Sequence, residues 1–217
     1  MKKAKCVAAL ALILLAESNA NALIDLNFYA GANFSRIDAK MGTISDQGFT
    51  YGGVLAWSGG VGVALDLSIL SIEAAAFYHL KKSQSTINLK VYNIPLTLDI
   101  DLIYRTIDCP LIAKIWLGPF FLGGGGYYQK MVGPIETKIT GSVLGFELTH
   151  SDKTYSHDEL GINTDSFGAI ASLGVYFPVG VTDLLIDLRY SKSLKDQGSG
   201  GSSWKESNVH LLLGLSI

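Results

Sequence analysis

Val209, Leu211, Leu213, Leu215 and Ile217 place an apolar side chain at every second position, with His210, Leu212, Gly214 and Ser216 between them, and the sequence ends on this segment. A period of two is the signature of a strand. In an open sheet such a greasy strand is an unpaired, association-prone edge. In a barrel closed within a bilayer it is the seam that pairs with the first strand. The alternation therefore favours a closed barrel.

The same period recurs along the chain. Leu26, Phe28, Ala30, Ala32 and Phe34 alternate with Asn27, Tyr29, Gly31, Asn33 and Ser35; Ile72, Ala74, Ala76 and Tyr78 alternate with Glu73, Ala75, Phe77 and His79. Ile107, Cys109, Leu111, Ala113, Ile115 and Leu117 stand opposite Asp108, Pro110, Ile112, Lys114 and Trp116. Further strands are expected over about 53–67, 120–130, 167–177, 184–191 and 207–217. Short connections near 68, 118 and 180 alternate with long ones near 43, 90, 148 and 200. Arg36 to Tyr51, Lys81 to Asn88, Met131 to Thr164 and Lys195 to Glu206 read as polar connections, the last with a flexible Gly-Ser core. Strict alternation of short turns and long loops marks outer-membrane barrels. The expected fold is an all-β, transmembrane, antiparallel up-and-down β-barrel of eight strands. A ten-stranded barrel follows instead if Leu89 to Leu102 and Ile135 to Thr149 each cross the membrane.

Composition agrees with this reading. The 217 residues are 48% hydrophobic and only 17% charged, yet no apolar run reaches the ~18 residues that a membrane helix needs. A barrel hides hydrophobicity in this way, because only alternate residues face lipid. Lys2, Lys3 and Lys5, the apolar stretch Val7 to Ala16 and the small-residue site Ala20-Asn21-Ala22 read as an export signal over residues 1–22. Removing it leaves 195 residues as one barrel domain, 23–217, with 14 basic and 18 acidic residues and a net charge of −4. Nucleic acid is not an expected partner. Cys109 is then the only cysteine, so no internal disulfide is expected.

Alternation alone does not separate a membrane barrel from a soluble, lipocalin-like exported barrel, since both satisfy the same parity. The polar face, rich in Gly, Ser, Asn, Ala and Tyr with isolated charges, suits a narrow interior better than a watery exterior. Phe28, Tyr51, Trp57, Tyr78, Tyr104, Trp116, Phe120, Tyr128, Phe177 and Tyr190 are candidates for interfacial girdles.

Asp187-Leu188-Arg189-Tyr190-Ser191, leading to Leu194-Lys195-Asp196, and Ile107-Asp108-Cys109-Pro110-Leu111-Ile112-Ala113-Lys114 resemble the seventh and fourth strands of the small outer-membrane β-barrel domains of Gram-negative bacteria, PorT-like proteins among them. The resemblance implies the barrel fold and an outer-membrane location, and no specific activity. Cys109 replaces the usual aliphatic residue, and Ile217 stands where assembly signals usually end in Phe.

Asp66, Glu73, His79, Asp108, Lys114, Asp187, Arg189 and His210 all fall on the inward parity. Buried charges must pair or become neutral, so these residues are expected to form a lumen network, either a salt-bridge plug or a gated solute path. His150, Ser151, Asp152, Ser156, His157, Asp158 and Glu159 offer imidazoles, carboxylates and hydroxyls, but adjacent residues on a strand face opposite sides and a loop fixes no base-to-nucleophile distance. No catalytic residue, cofactor or metal ligand is therefore assigned, and an outer-membrane lipid-modifying enzyme remains only an alternative. Gly123 to Gly126 lacks the Lys-Ser/Thr pair of a phosphate loop and reads as interior space. Pro110, without a ladder donor, is expected to mark an irregularity. The expected function is an integral, monomeric outer-membrane barrel, structural, surface-binding or narrow-pore in role, with membrane lipid, the export and assembly machinery and a loop-bound extracellular ligand as partners.

Overall fold

The computed structural model describes residues 23–40, 49–67, 69–91, 94–143, 146–180, 182–198 and 203–217. The expected export segment 1–22 lies outside them. Ten strands follow in chain order: β1 (Leu23–Lys40), β2 (Phe49–Val54), β3 (Ala56–Leu67), β4 (Leu70–Val91), β5 (Ile94–Leu117), β6 (Phe120–Val143), β7 (Phe146–Tyr155), β8 (Asp165–Val179), β9 (Thr182–Ser193) and β10 (Ser203–Ser216). All pairings are antiparallel, and β10 closes on β1 from Asn27 opposite Ser216 to Lys40 opposite Ser203. Leu26 and Ile217 exchange backbone hydrogen bonds of 2.9 and 3.0 Å, extending the seam to the last residue.

The ring has eight strands. β2 and β3 occupy one ring position, separated by the single inserted residue Leu55, across which the pairing with both β1 and β4 shifts by one. β7 pairs only with β6 and stands outside the ring. The two segments that would have made a ten-stranded barrel do not cross separately. Residues 89–102 are the upper part of the β4–β5 hairpin, and 135–149 the upper part of β6 with β7.

Stepping across the ladders from Arg36 through Ser207, Lys192, Ala169, Gly126, Leu111, Ala74 and Val63 returns to β1 at Leu26, ten residues from the start. That stagger tilts the strands by roughly 40° and leaves an interior that side chains just fill.

Closed pairs Leu67–Leu70, Leu117–Phe120 and Val179–Thr182 put the three tight turns at one end, with Gly118 and Gly180 at φ 67° and 70°. At the other end the expected loops are largely paired backbone. The β4–β5 hairpin runs to Val91–Ile94 and the β6–β7 hairpin to Val143–Phe146. Pro110 interrupts the β4–β5 pairing without changing its register. The register shift lies higher, between Ile103 and Arg105, opposite Gly133-Pro134, where a φ of 72° and a missing amide donor take β6 out of the ladder.

Phe28, Val61, Ile72, Leu111, Leu122, Leu173, Leu188 and Leu213 project outward in a continuous exposed belt. Phe34, Trp57, Tyr78, Tyr128, Phe167 and Tyr190 ring its upper margin; Phe120 and Phe177 lie at its lower one. Three expected girdle residues face inward instead. Trp116 lies on the inward parity and donates to Ser71 Oγ at 3.1 Å. Tyr104 shares that parity, and the insertion at Leu55 turns Tyr51 inward.

Above the belt the polarity inverts. Ile37, Tyr51, Leu102, Tyr104, Met131, Ile135, Ile162 and Trp204 form a buried apolar cluster inside the barrel mouth. On β5 the even-numbered residues point inward throughout, but they change from Thr106, Asp108 and Lys114 below to Ile100, Leu102 and Tyr104 above. The connection after β7 lays Ile162 into this cluster, and Asn163 N donates to Gln197 O at 2.7 Å.

Candidate functional site: the charge layers of the lumen

The lower layer centres on Glu73. β4 turns its carboxylate inward, where Oε2 accepts from Lys114 Nζ at 2.6 Å and Tyr29 OH at 2.5 Å, and Oε1 accepts from Arg189 Nη2 at 2.8 Å. Arg189 also donates through Nε to Asp187 Oδ2 at 2.8 Å, and Ser172 Oγ donates to Asp187 Oδ1 at 2.6 Å. Two carboxylates and two cations balance in a set no more than 2% exposed at any member, as burial of charge requires. Aromatic rings complete the cage. The Arg189 guanidinium lies 5.0 Å from both the Tyr29 and Phe77 centroids, and Lys114 Nζ 4.5 Å from that of Phe121.

Glycines give these large groups their room. A Cβ on Gly123 would come within 2.9 Å of Ile112 and 3.1 Å of the Lys114 stem, and one on Gly174 within 2.3 Å of the Phe121 ring. Of the Gly123–Gly126 run, Gly123 and Gly125 lie on the inward parity of β6, whereas Gly124 and Gly126 share the outward face of Leu122, so the run makes interior space at two positions rather than four. Leu212, the apolar exception on the inward face of the closing strand, packs on Tyr29 and Phe77.

The upper layer is a relay. Asn33 Nδ2 donates to Ser58 Oγ at 2.8 Å, and Ser58 Oγ lies 2.7 Å from His79 Nδ1. His79 Nε2 lies 3.4 Å from Asp108 Oδ2. With its hydrogen on Nε2, His79 donates toward Asp108 and accepts from the Ser58 hydroxyl at Nδ1. Lys81 Nζ bridges Asp108 Oδ2 at 3.7 Å and Glu206 Oε1 at 2.5 Å, and Gln129 Nε2 donates to Glu206 Oε2 at 3.0 Å. His210 packs against His79 with ring centroids 4.7 Å apart and has Ser191 Oγ 3.5 Å from its Nε2.

Seven of the eight residues expected in the lumen network therefore lie in these two layers. Asp66 does not. It stands at the tight-turn rim beside Asp25 and Asp183, too low on its tilted strand to reach Lys114 or Arg189. Sequence reading missed Lys81, Gln129 and Glu206. Lys81 and Glu206 seemed to belong to polar loops because the strands extend further than their apolar stretches, although each keeps the inward parity of its strand.

Ser58, His79 and Asp108 make a serine–histidine–carboxylate series, but the hydroxyl is 2% exposed. The cavity beside it, between Phe77, Tyr127, Arg189 and His210, holds about 20 Å³, space for about one water. In the 150–159 segment, Ser151 pairs with Ile139 on the outer hairpin, and Ser156 caps a turn by donating its amide to Glu159 Oε2 at 2.7 Å. Those Ser156 hydrogen bonds hold the exposed Glu159 carboxyl below the usual range. The His150 side chain lies outside the described set. Among the described residues no group of three or more His, Cys, Asp or Glu could hold a metal ion.

The ladders decide the architecture: every strand of the ring is paired on both sides. The chain is an eight-strand antiparallel barrel. No family model and no curated protein matches it. Among solved structures it is similar to Neisserial surface protein A, with 15% identity over 88% of this chain and 96% of that one and a TM-score of 0.39. It is also similar to OprG of Pseudomonas aeruginosa (13% identity, 91% and 98% coverage, TM-score 0.44) and to Ail of Yersinia pestis (12%, 89% and 99%, 0.39).

Proposed function

We propose that this barrel is an integral outer-membrane protein that does not conduct, and that its role is structural or surface-binding rather than enzymatic. Its observed belt of outward leucines, isoleucines and valines, bounded by aromatic rims, would be costly in water and matches a lipid core. The carrying observation for a silent lumen is the stacking of three closures: the Glu73–Arg189 layer, the Lys81–Glu206 layer and the apolar cluster around Trp204. Burial of Ser58 favours a relay that stiffens the wall over a nucleophile, which would need to meet substrate. The paired arms above the belt offer the surface for an extracellular ligand, and within the belt the complete ring leaves no edge for a second copy.

Two measurements test this. Expressed in a Gram-negative host, the protein should fractionate with the outer membrane and change gel mobility on boiling; recovery in the soluble periplasm would refute the membrane assignment. Reconstituted in planar bilayers, it should show no stepwise conductance, and Arg189→Ala should stay silent because two closures persist. Channel openings in either protein would restore the gated-path reading.

A further inference from the structure

The outer wall carries one place where charge and apolar surface are arranged rung by rung. Arg36 on β1 pairs with Ser207 on β10, and Ser207 with Lys192 on β9, so two cations flank a hydroxyl on one rung. Two strand spacings set their backbones about 10 Å apart. One outward position lower, Phe34 pairs with Val209 and Val209 with Tyr190. These six residues, with Asp38 and Gly53, line an open groove of roughly 530 Å³. Arg36, Lys192 and Lys205 on this face outnumber Asp38, which contacts Arg36 Nε at 3.5 Å.

We infer that β9, β10 and β1 form an outward-facing site for the anionic phosphomonoester headgroup of a membrane lipid. The inference rests on the membrane assignment above. The apolar rung belongs to the aromatic margin of the belt, where acyl chains give way to headgroups. The cationic rung lies about 7 Å further along the strands, at headgroup level. Arginine offers a planar fork, lysine a point charge and Ser207 a hydroxyl donor, a set suited to the several oxygens of one phosphate group. Elsewhere on this margin Lys130 and Arg105 are also present, but the groove adjoins neither, and Arg105 is held by Glu136 at 2.9 Å, closer than Arg36 by Asp38.

Native mass spectrometry of the full chain in detergent, titrated with phosphatidic acid or phosphatidylcholine of identical acyl chains, tests the site. The protein should retain phosphatidic acid about thirtyfold better, from two near-surface cations. Arg36→Gln/Lys192→Gln should abolish that preference, Lys192→Gln alone should weaken it, and Lys130→Gln should leave it intact. Equal retention of the two lipids, a preference that survives the double substitution, or displacement of the lipid by equimolar inorganic phosphate would each overturn the proposal. Gel mobility before and after boiling, measured on every sample, separates the two readings: a heat-modifiable barrel without lipid preference refutes the site alone, whereas loss of heat modifiability in the unsubstituted protein refutes the membrane assignment beneath it.

Discussion

Arg189 and Glu73 form a 2.8 Å ion pair between β9 and β4, strands on opposite sides of the ring. The contact spans the lumen, which no backbone hydrogen bond between neighbouring strands of the ring does. It joins four charges from three strands in a layer whose members are at most 2% exposed, so each charge depends on the others for compensation.

Arg189→Ala should therefore leave Glu73 and Asp187 short of one cation and cost about 3–5 kcal/mol, seen as a lower urea midpoint in detergent micelles. Replacing Glu73, Lys114, Asp187 and Arg189 together with apolar residues of similar size should cost less than the single change. A larger loss in the fourfold variant would show that the network contributes net stability beyond mutual compensation.

Trp204 is 4% exposed and meets the Tyr104 ring edge-on at 6.0 Å. Trp204→Ala should cost about 3–5 kcal/mol and free the Ile162 segment that rests on this cluster. Protease cleavage within 156–164 should accelerate, while the belt strands stay protected. Unchanged cleavage would mean that the segment is held by its backbone bonds to Gln197 and Met131 rather than by this cluster.

Asp196 anchors the connection between β9 and β10. Partial burial raises its carboxyl, but hydrogen bonds from Ser203 Oγ, Trp204 N and Gly198 N outweigh this and hold it below the ordinary range. A group depressed on folding contributes stability above its unfolded pKa and loses it as pH falls through the folded value. The Gly198 and Trp204 amide shifts should thus hold from neutral pH to about pH 4 and move only below it. Asp196→Asn should remove this acid transition.

Gly174 admits no side chain, since a Cβ would lie 2.4 Å from Ile186 O and 2.3 Å from Phe121 Cζ. Gly174→Ala should cost about 1–3 kcal/mol by overpacking. Adding Phe121→Leu should recover only part of it, because the carbonyl clash remains; full recovery would locate the strain in the ring alone.

Period-two alternation, visible in Leu26 to Phe34 and Val209 to Ile217, determined the strand class, the outward face and the seam, because side-chain direction on a strand is set locally. It also placed Glu73, Asp108, Asp187 and Arg189 inward. Which charge meets which was decided by the ring: the ten-residue stagger sets height, bringing Glu73 to Arg189 and leaving Asp66 at the rim. The change from odd apolar positions over Ile107–Leu117 to even ones over Ile94–Leu102 was equally plain in the sequence, but its meaning lay in three dimensions. Strand parity continues unbroken while the apolar set moves from the outer face to the lumen by Ile100, Leu102 and Tyr104, so one β-strand passes from an outward apolar belt to an ordinary buried core. Lys81 and Glu206 were lost among polar residues for the same reason: their 2.5 Å contact joins positions 125 residues apart, and only closure of the barrel brings them together.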